Sequence, residues 1–65
     1  MTAKRVVVVI PAFNEEQTIV EVLRGLKQRG FTTLIVVDDG SSDRTGELAF
    51  REGAIRLRHI LNRGR

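Results

Sequence analysis

The sequence has no cysteine and a single histidine, His59. Disulfide bonds and thiolate zinc sites are therefore excluded, and one imidazole cannot form a histidine metal cluster. The metal ligands that remain are carboxylates, which suit Mg²⁺ or Mn²⁺. A chain of 65 residues buries only about 60% of the surface that its unfolded form exposes, so its stability depends on a thin core.

A long apolar run is also missing. The longest, residues 6–13, has eight residues, whereas a membrane-spanning helix needs roughly 20. Asn14 and Glu15 follow this run without a small-residue cleavage site, so it does not fit a signal peptide. We therefore expect a cytoplasmic protein whose chain has no transmembrane segment.

Tryptophan and tyrosine are absent, and the phenylalanines lie outside the basic end of the chain. Residues 1–53 carry a net charge of −1, whereas residues 54–65 carry a charge of +4. A basic end can bind nucleic acid, but this one has only four arginines and no aromatic side chain for base stacking. We expect no nucleic-acid partner.

Three apolar segments predict strands, at residues 6–10, 34–37 and 55–61. The first two are apolar at every position, as in strands that are buried on both faces of a sheet. Pro11 has no N–H to donate to a sheet ladder, so we expect the first strand to end before it. Arg56 and Arg58 interrupt the third segment, and we interpret them as its solvated face.

Two helices are predicted between these strands. The first covers residues near 14–29, because Asn14 and Gln17 fit a capping box and the following apolar residues recur at helical spacing. Gly30 stands where a C-terminal cap is expected. The second helix begins at Ser42 or Asp43, and Thr45 is interpreted as a residue of its first turn.

This order of elements predicts an α/β fold, a three-stranded parallel sheet with two crossover helices (β-α-β-α-β). Crossovers in parallel sheets are right-handed, so two that advance in the same direction give the strand order 3-2-1 and place both helices on one face. The other face would then be apolar and uncovered. We expect the isolated chain to form a homo-oligomer through that face, or to need the missing remainder of its domain.

Acidic residues collect after the first two strands, where open parallel sheets bind their ligands. Glu15, Glu16 and Asp43 are accounted for by their places near helix N-termini, which favour negative charge. The adjacent pair Asp38 and Asp39 is not, because it ends a strand. The pair therefore indicates a binding site.

Three kinds of site use acidic residues at the end of a strand, and each has a different sequence requirement. A dinucleotide-binding Rossmann site needs a glycine-rich loop after the first strand, and residues 11–16 contain no glycine. A phosphorylated receiver domain would have its acid pair after the first strand, not the second. The third kind is a nucleotide held by its base and ribose, with its phosphates bridged to acids by a divalent cation.

Residues 8–16 and 36–45 resemble the start of the family 2 glycosyltransferases, which have the GT-A fold. Residues 62–65 are similar to the Asn-x-Gly-Lys segment of the polyprenyl-phosphate branch, which resembles dolichyl-phosphate mannosyltransferases. The resemblance covers nearly the whole chain. It implies that residues 1–65 are a single partial domain, the first, nucleotide-binding part of a Rossmann-like GT-A domain.

The resemblance also implies a donor substrate, a nucleoside diphosphate sugar, and a glycosyltransferase activity that depends on it. The residues that it places against the nucleotide are Pro11, Ala12, Phe13, Glu15, Asp38 and Asp39. Asp39 matches the acid that meets the base, Asp38 lies beside it, and Phe13 replaces a more usual tyrosine. The Asp-x-Asp motif for Mg²⁺ or Mn²⁺, the catalytic base and the acceptor site lie beyond residue 65. We therefore assign no catalytic or metal-binding residue and expect the chain alone to be inactive.

A different class of function remains open beside this one. The chain could be a non-catalytic binding or assembly module that works through its exposed sheet face. In that case the acidic edge has lost its ligand, and the apolar face carries the function.

Overall fold

The computed structural model describes residues 6–58 and shows three strands alternating with two helices. The elements are β1 (Val7–Ala12), α1 (Ile19–Gln28), β2 (Thr33–Asp38), α2 (Thr45–Arg51) and β3 (Ile55–Arg58). The strands are parallel and lie in the order β1-β2-β3, so β2 is central. The predicted fold class and strand order are confirmed, while the predictions for residues 59–65 fall outside the described residues.

The register of the sheet aligns the carboxyl ends of β1 and β2. Ala12, the last residue of β1, lies opposite Asp38, the last residue of β2. The next amide along β2, that of Asp39, donates a hydrogen bond to the Ala12 carbonyl at 2.9 Å. The loops that follow β1 and β2 therefore leave the sheet side by side.

β1, which lies at the edge of the described sheet, differs from its prediction in two respects. The strand passes through Pro11 and ends at Ala12. Since the Ala12 carbonyl faces β2, the neighbouring Pro11 faces the open edge, where its missing N–H costs no ladder bond. Val7 and Val9 lie on the face of the sheet that carries no helix and are 51% and 57% exposed, so β1 is not buried on both faces.

α1 begins later than predicted. Its first helical residue is Ile19, preceded by Thr18, whose side chain makes no capping hydrogen bond. Asn14 is not the helix cap, because its backbone is left-handed with a φ of 52°. Its side-chain oxygen instead accepts a hydrogen bond from the Ser42 amide.

The end of α1 confirms the predicted glycine cap. Gly30 has a φ of 96°, in the left-handed region that glycine adopts without strain. The Gly30 amide donates to the Lys27 carbonyl at 3.0 Å, and the Phe31 amide donates to the Leu26 carbonyl at 3.1 Å. These two bonds form a Schellman motif, which satisfies the last helix carbonyls and turns the chain into β2.

Both helices pack on one face of the sheet, which we call the covered face. Its core consists of Ala12, Ile19, Leu23, Leu34, Val36, Ala49 and Ala54. The alternate strand residues point to the other side, which we call the open face: Val7, Val9, Ile35, Val37, Ile55 and Leu57. The prediction of an uncovered apolar face is confirmed for the described chain. Within residues 6–58, neither helix has the length and apolar character needed to cross a membrane.

Candidate functional site

The six residues predicted to meet a nucleotide lie at the carboxyl ends of β1 and β2. Pro11 and Ala12 end β1, and Phe13 follows with 56% of its surface exposed. Asp38 ends β2, and Asp39 is bonded through its amide to the Ala12 carbonyl. The sheet register therefore brings the two groups to a single edge, as the sequence predicted.

Reciprocal hydrogen bonds join the two loops, and we call this set, formed by residues 14–16 and 41–45, the loop clasp. The Asn14 amide donates to the Ser41 hydroxyl oxygen at 2.9 Å, and the Ser42 amide donates to the Asn14 side-chain oxygen at 2.9 Å. The left-handed backbone of Asn14 allows both bonds, and asparagine tolerates that conformation better than most residues. Asn14 thus binds the second loop with its backbone and its side chain.

The other half of the loop clasp uses carboxylates and a buried hydroxyl. The Glu16 amide donates to Asp43 Oδ2 at 3.2 Å, and the Arg44 amide donates to Glu16 Oε1 at 3.0 Å. The Glu15 amide donates to Thr45 Oγ1 at 2.7 Å. The Thr45 amide and hydroxyl both donate to Asp43 Oδ1. Thr45 is fully buried, so the sequence missed a residue that connects α2 to the first loop.

The ionisation of Asp43 fits this role. Burial tends to raise the pKa of Asp43, but hydrogen bonds from Thr45 and from the Glu16 amide outweigh it and lower the pKa below its ordinary value. An ionised carboxylate accepts such bonds with both oxygens. Asp43 therefore holds the two loops together at neutral pH and is no proton donor there.

Asp38 is also engaged inside the fold. Only 2% of its surface is exposed, and its Oδ1 accepts a hydrogen bond from the Ser41 amide at 2.9 Å. Arg56 Nη2 lies 3.6 Å from its Oδ2. Burial tends to raise the pKa of Asp38, but the Ser41 bonds and the charges of Arg56 and Arg58 outweigh it and lower the pKa.

Arg56 and Arg58 lie on an exposed strand, as the sequence suggested, but Arg56 also has a partner inside the fold. Its side chain is 37% exposed and pairs with a carboxylate that is almost fully buried. The sequence carried one signal for this contact, since a buried acid at a strand end needs a partner. The register of β3 decides which arginine is the partner of Asp38. In this register Arg56 lies opposite Val36.

A groove of about 190 Å³ lies where the first loop meets α1. It is lined by Ile10, Pro11, Ala12, Glu15, Thr18, Ile19 and Val22. Three of the six predicted site residues thus line one concave, mainly apolar surface. Such a surface can hold a flat apolar group, and Glu15 in its lining can accept hydrogen bonds from hydroxyl or N–H groups.

The expected divalent cation has no ligand set among the described residues. Within residues 6–58, no three acidic or histidine side chains converge to hold a metal ion. Glu16 and Asp43, one acid from each loop, each accept a hydrogen bond from a backbone amide of the other loop. We therefore derive no chemical step that uses a metal at this site.

Comparison with known proteins decides the family. The sequence profile named glycosyl transferase family 2 matches residues 7–64. The chain belongs to glycosyl transferase family 2. The two loops of the clasp lie within the match, so the resemblance drawn from residues 8–16 and 36–45 is confirmed.

Relatives of this family 2 chain include an uncharacterized protein of Methanocaldococcus jannaschii, 60% identical over 57 residues, covering 88% of this chain and 24% of that protein. The UDP-N-acetylglucosamine–dolichyl-phosphate N-acetylglucosaminyltransferase of Methanococcus voltae is 42% identical over 45 residues, covering 69% and 18%. The undecaprenyl-phosphate 4-deoxy-4-formamido-L-arabinose transferase of Pseudomonas aeruginosa is 43% identical over 66 residues, covering 86% and 19%.

The chain thus spans a quarter or less of the length of these relatives. No solved structure matches it significantly.

Proposed function

We propose that this chain is the donor-nucleotide-binding segment of a glycosyltransferase that takes a sugar from a nucleoside diphosphate sugar. The observation that carries the proposal is the loop clasp, because it joins two sequence motifs into one edge beside an apolar groove. The names of two relatives support the class of reaction, since one specifies a UDP-sugar and both specify a polyprenyl-phosphate acceptor. A polyprenyl phosphate is accordingly our proposed acceptor.

In this proposal each residue has a role that its position permits. The exposed ring of Phe13 packs against the base, and Pro11 and Ala12 form the apolar floor. The Asp39 carboxylate accepts a hydrogen bond from a base N–H, and Glu15 accepts one from a ribose hydroxyl. Asp38 does not contact the nucleotide in this proposal. It accepts the Ser41 amide and so holds the turn that carries Asp39.

Residues 1–65 are proposed to form a partial domain without transferase activity. Sugar transfer requires charge stabilisation at the diphosphate leaving group and a base for the acceptor. Among residues 6–58, Glu16 and Asp43 of the clasp are bonded to backbone amides, and no acids converge on a metal site. Sugar transfer by the purified 65-residue chain would contradict this part of the proposal.

The proposal is tested by titrating the chain with uridine and guanosine diphosphates while following its amide NMR signals. One of them should bind, and Asp39→Asn should weaken binding about 10- to 100-fold, since a charge-assisted hydrogen bond contributes about 1.5–3 kcal/mol. Glu21→Gln is the matched control, because it removes the same charge from the exposed first turn of α1. Absence of binding by both nucleotides refutes the proposal, and unchanged affinity in Asp39→Asn removes that residue from the site.

The open face favours a second candidate, a module that assembles with copies of itself. Val7, Val9, Ile55 and Leu57 are each at least half exposed, and large contiguous apolar surfaces of this kind mark contact sites. Sedimentation velocity should then show dimers or larger species at micromolar concentration. A folded monomer under those conditions would eliminate this candidate and leave the nucleotide proposal standing.

A further inference from the structure

Arg56 reaches its buried partner by a narrow route beneath the first turn of α2. The side chain starts on β3, and its guanidinium ends 3.6 Å from Asp38 Oδ2. Gly46, the second residue of α2, lies beside this ion pair. A Cβ at position 46 would stand 2.3 Å from Arg56 Nε and 2.6 Å from Asp38 Oδ2. The ion pair therefore occupies the space that any side chain at position 46 would need.

Glycine at this position is not required by the backbone. Gly46 is absent from the glycines with positive φ, unlike Gly30, Gly40 and Gly53. Within a helix, glycine is less favourable than alanine by roughly 0.5–1 kcal/mol. The close approach of Arg56 and Asp38 explains why this helix has glycine at position 46 despite its lower helix propensity.

We propose that Arg56 is a positioning residue of the nucleotide site, which holds the buried Asp38 carboxylate against the Ser41 amide and so sets the turn that presents Asp39 to the ligand. This inference rests on the proposed function for its last step. The two adjacent acids then have different roles. Asp38 holds the turn by accepting the Ser41 amide, whereas Asp39 contacts the ligand.

The charges around Asp38 give this arrangement a testable pH dependence. β3 contributes Arg56 and Arg58, whose charges favour the ionised form of Asp38. α2 contributes Glu47, which lies within electrostatic reach of Arg56, and Asp39 follows Asp38 in the chain. Without Arg56, a carboxylate with 2% exposure loses its nearest positive charge, and burial then favours protonation. A protonated Asp38 is a weaker acceptor for the Ser41 amide.

The first experiment needs no ligand. The carboxyl ¹³C signal of Asp38 is followed against pH in the 65-residue chain, in Arg56→Met and in Arg51→Met, a charge-matched control on α2. We expect the Asp38 titration midpoint to lie below 3.8 in the unmodified chain, to rise in Arg56→Met and to remain unchanged in Arg51→Met. A midpoint at or above the ordinary value in the unmodified chain overturns the proposal, as does an unchanged midpoint in Arg56→Met.

Gly46→Ala is the second variant, because its methyl group takes the space of the ion pair without removing either charge. The alanine is the better helix former, so a loss of helix propensity cannot explain its effect. We expect the titration midpoint of Asp38 to rise in this variant too. This result tests the proposal even if Arg56→Met does not fold. An unchanged Asp38 midpoint in Gly46→Ala would contradict the close packing of the Arg56–Asp38 pair against Gly46.

The second experiment measures the affinity for uridine and guanosine diphosphates against pH. Arg56→Met should weaken binding on the order of 10-fold, with the acidic loss of affinity moved to higher pH, and Arg56→Lys should recover part of it. A merely structural role predicts an equal loss at every pH and no recovery with lysine. If the unmodified chain binds neither nucleotide, the proposed function fails, while the Asp38 titration still decides whether Arg56 positions that carboxylate.

Discussion

Both faces of the sheet are rich in aliphatic side chains, but the helices cover only one of them. On the covered face, Leu34 and Val36 of β2 are 3% and 0% exposed. On the open face, Val9 of β1 and Leu57 of β3 are 57% and 50% exposed. Aliphatic residues dominate both faces, so strand composition does not decide which of them is buried.

The helices make the difference, since α1 and α2 pack side by side on one face. Arg24 and Lys27 of α1 form ion pairs of 3.0 Å and 3.2 Å with Glu52, at the end of α2. The covered face also ends in the loop clasp, which binds the two helix-entry loops together. The buried core and the loop clasp therefore belong to the covered face, whereas the open face of the described sheet is exposed.

The largest effect is expected from breaking the covered face at its centre. Leu23 of α1 is fully buried, and Leu→Ala changes at such sites cost about 2–5 kcal/mol, through lost burial and the cavity left behind. In a chain this small, that loss is comparable to the whole stability. Urea denaturation followed by circular dichroism should show Leu23→Ala largely unfolded. Val22→Ala, at a neighbouring position with 45% exposure, should remain folded, and equal losses would contradict the assignment of the two surfaces.

A smaller loss is expected where the covered face meets the loop clasp. Thr45→Val keeps the side-chain shape but leaves the Glu15 amide without the hydroxyl oxygen that it binds at 2.7 Å. An unsatisfied, partly buried amide costs about 1–3 kcal/mol, which urea denaturation can measure. Thr33→Val is the matched control on the exposed start of β2, where we expect a change within about 0.5 kcal/mol. Similar values for the two variants would mean that the clasp adds no stability.

Acid should weaken the same region by a smaller amount. The pKa values of Asp38 and Asp43 are lowered in the folded chain, because their hydrogen bonds, and for Asp38 also the nearby arginine charges, outweigh the effect of burial. Their stabilising contribution is therefore complete above the unfolded-state pKa, near 3.8, and is lost as pH falls below it towards the folded-state values.

Thermal unfolding followed by circular dichroism should accordingly give midpoints that are steady between pH 7 and about 5 and fall below about pH 4. A midpoint that stays level or rises down to pH 3 would show that these carboxylates are not stabilised by folding.

The smallest effect on stability is expected on the open face. Val9→Lys places a charge where 57% of the side chain is already exposed, so the free energy of unfolding should change by about 0.5 kcal/mol or less. If the chain associates through this face, the same substitution should shift sedimentation towards the monomer. Val22→Lys adds the same charge on α1 and should leave the association unchanged. Equal effects of the two lysines would argue against the open face as the contact surface.

The sequence alone determined the local elements and their order, because those signals act between residues a few positions apart. β-branched runs predicted β1 and β2, apolar residues at helical spacing predicted α1, capping residues predicted α2, and Gly30 marked the end of α1. Alternation of strands and helices was enough to place Asp38 and Asp39 at the same edge as the loop after β1. The two motifs were enough to indicate the family.

Only the tertiary structure decided how that edge is held together, since its bonds join residues far apart in the chain. Asn14 looks like a helix cap beside its sequence neighbours, but its partners Ser41 and Ser42 are 27 and 28 positions away. Thr45 binds an amide 30 positions earlier, and Arg56 meets Asp38 only because β3 lies beside β2 in a particular register. Hydrogen-bonding groups take the partner that folding brings within about 3 Å. Local sequence does not determine that partner, because it depends on where the whole fold places the two loops.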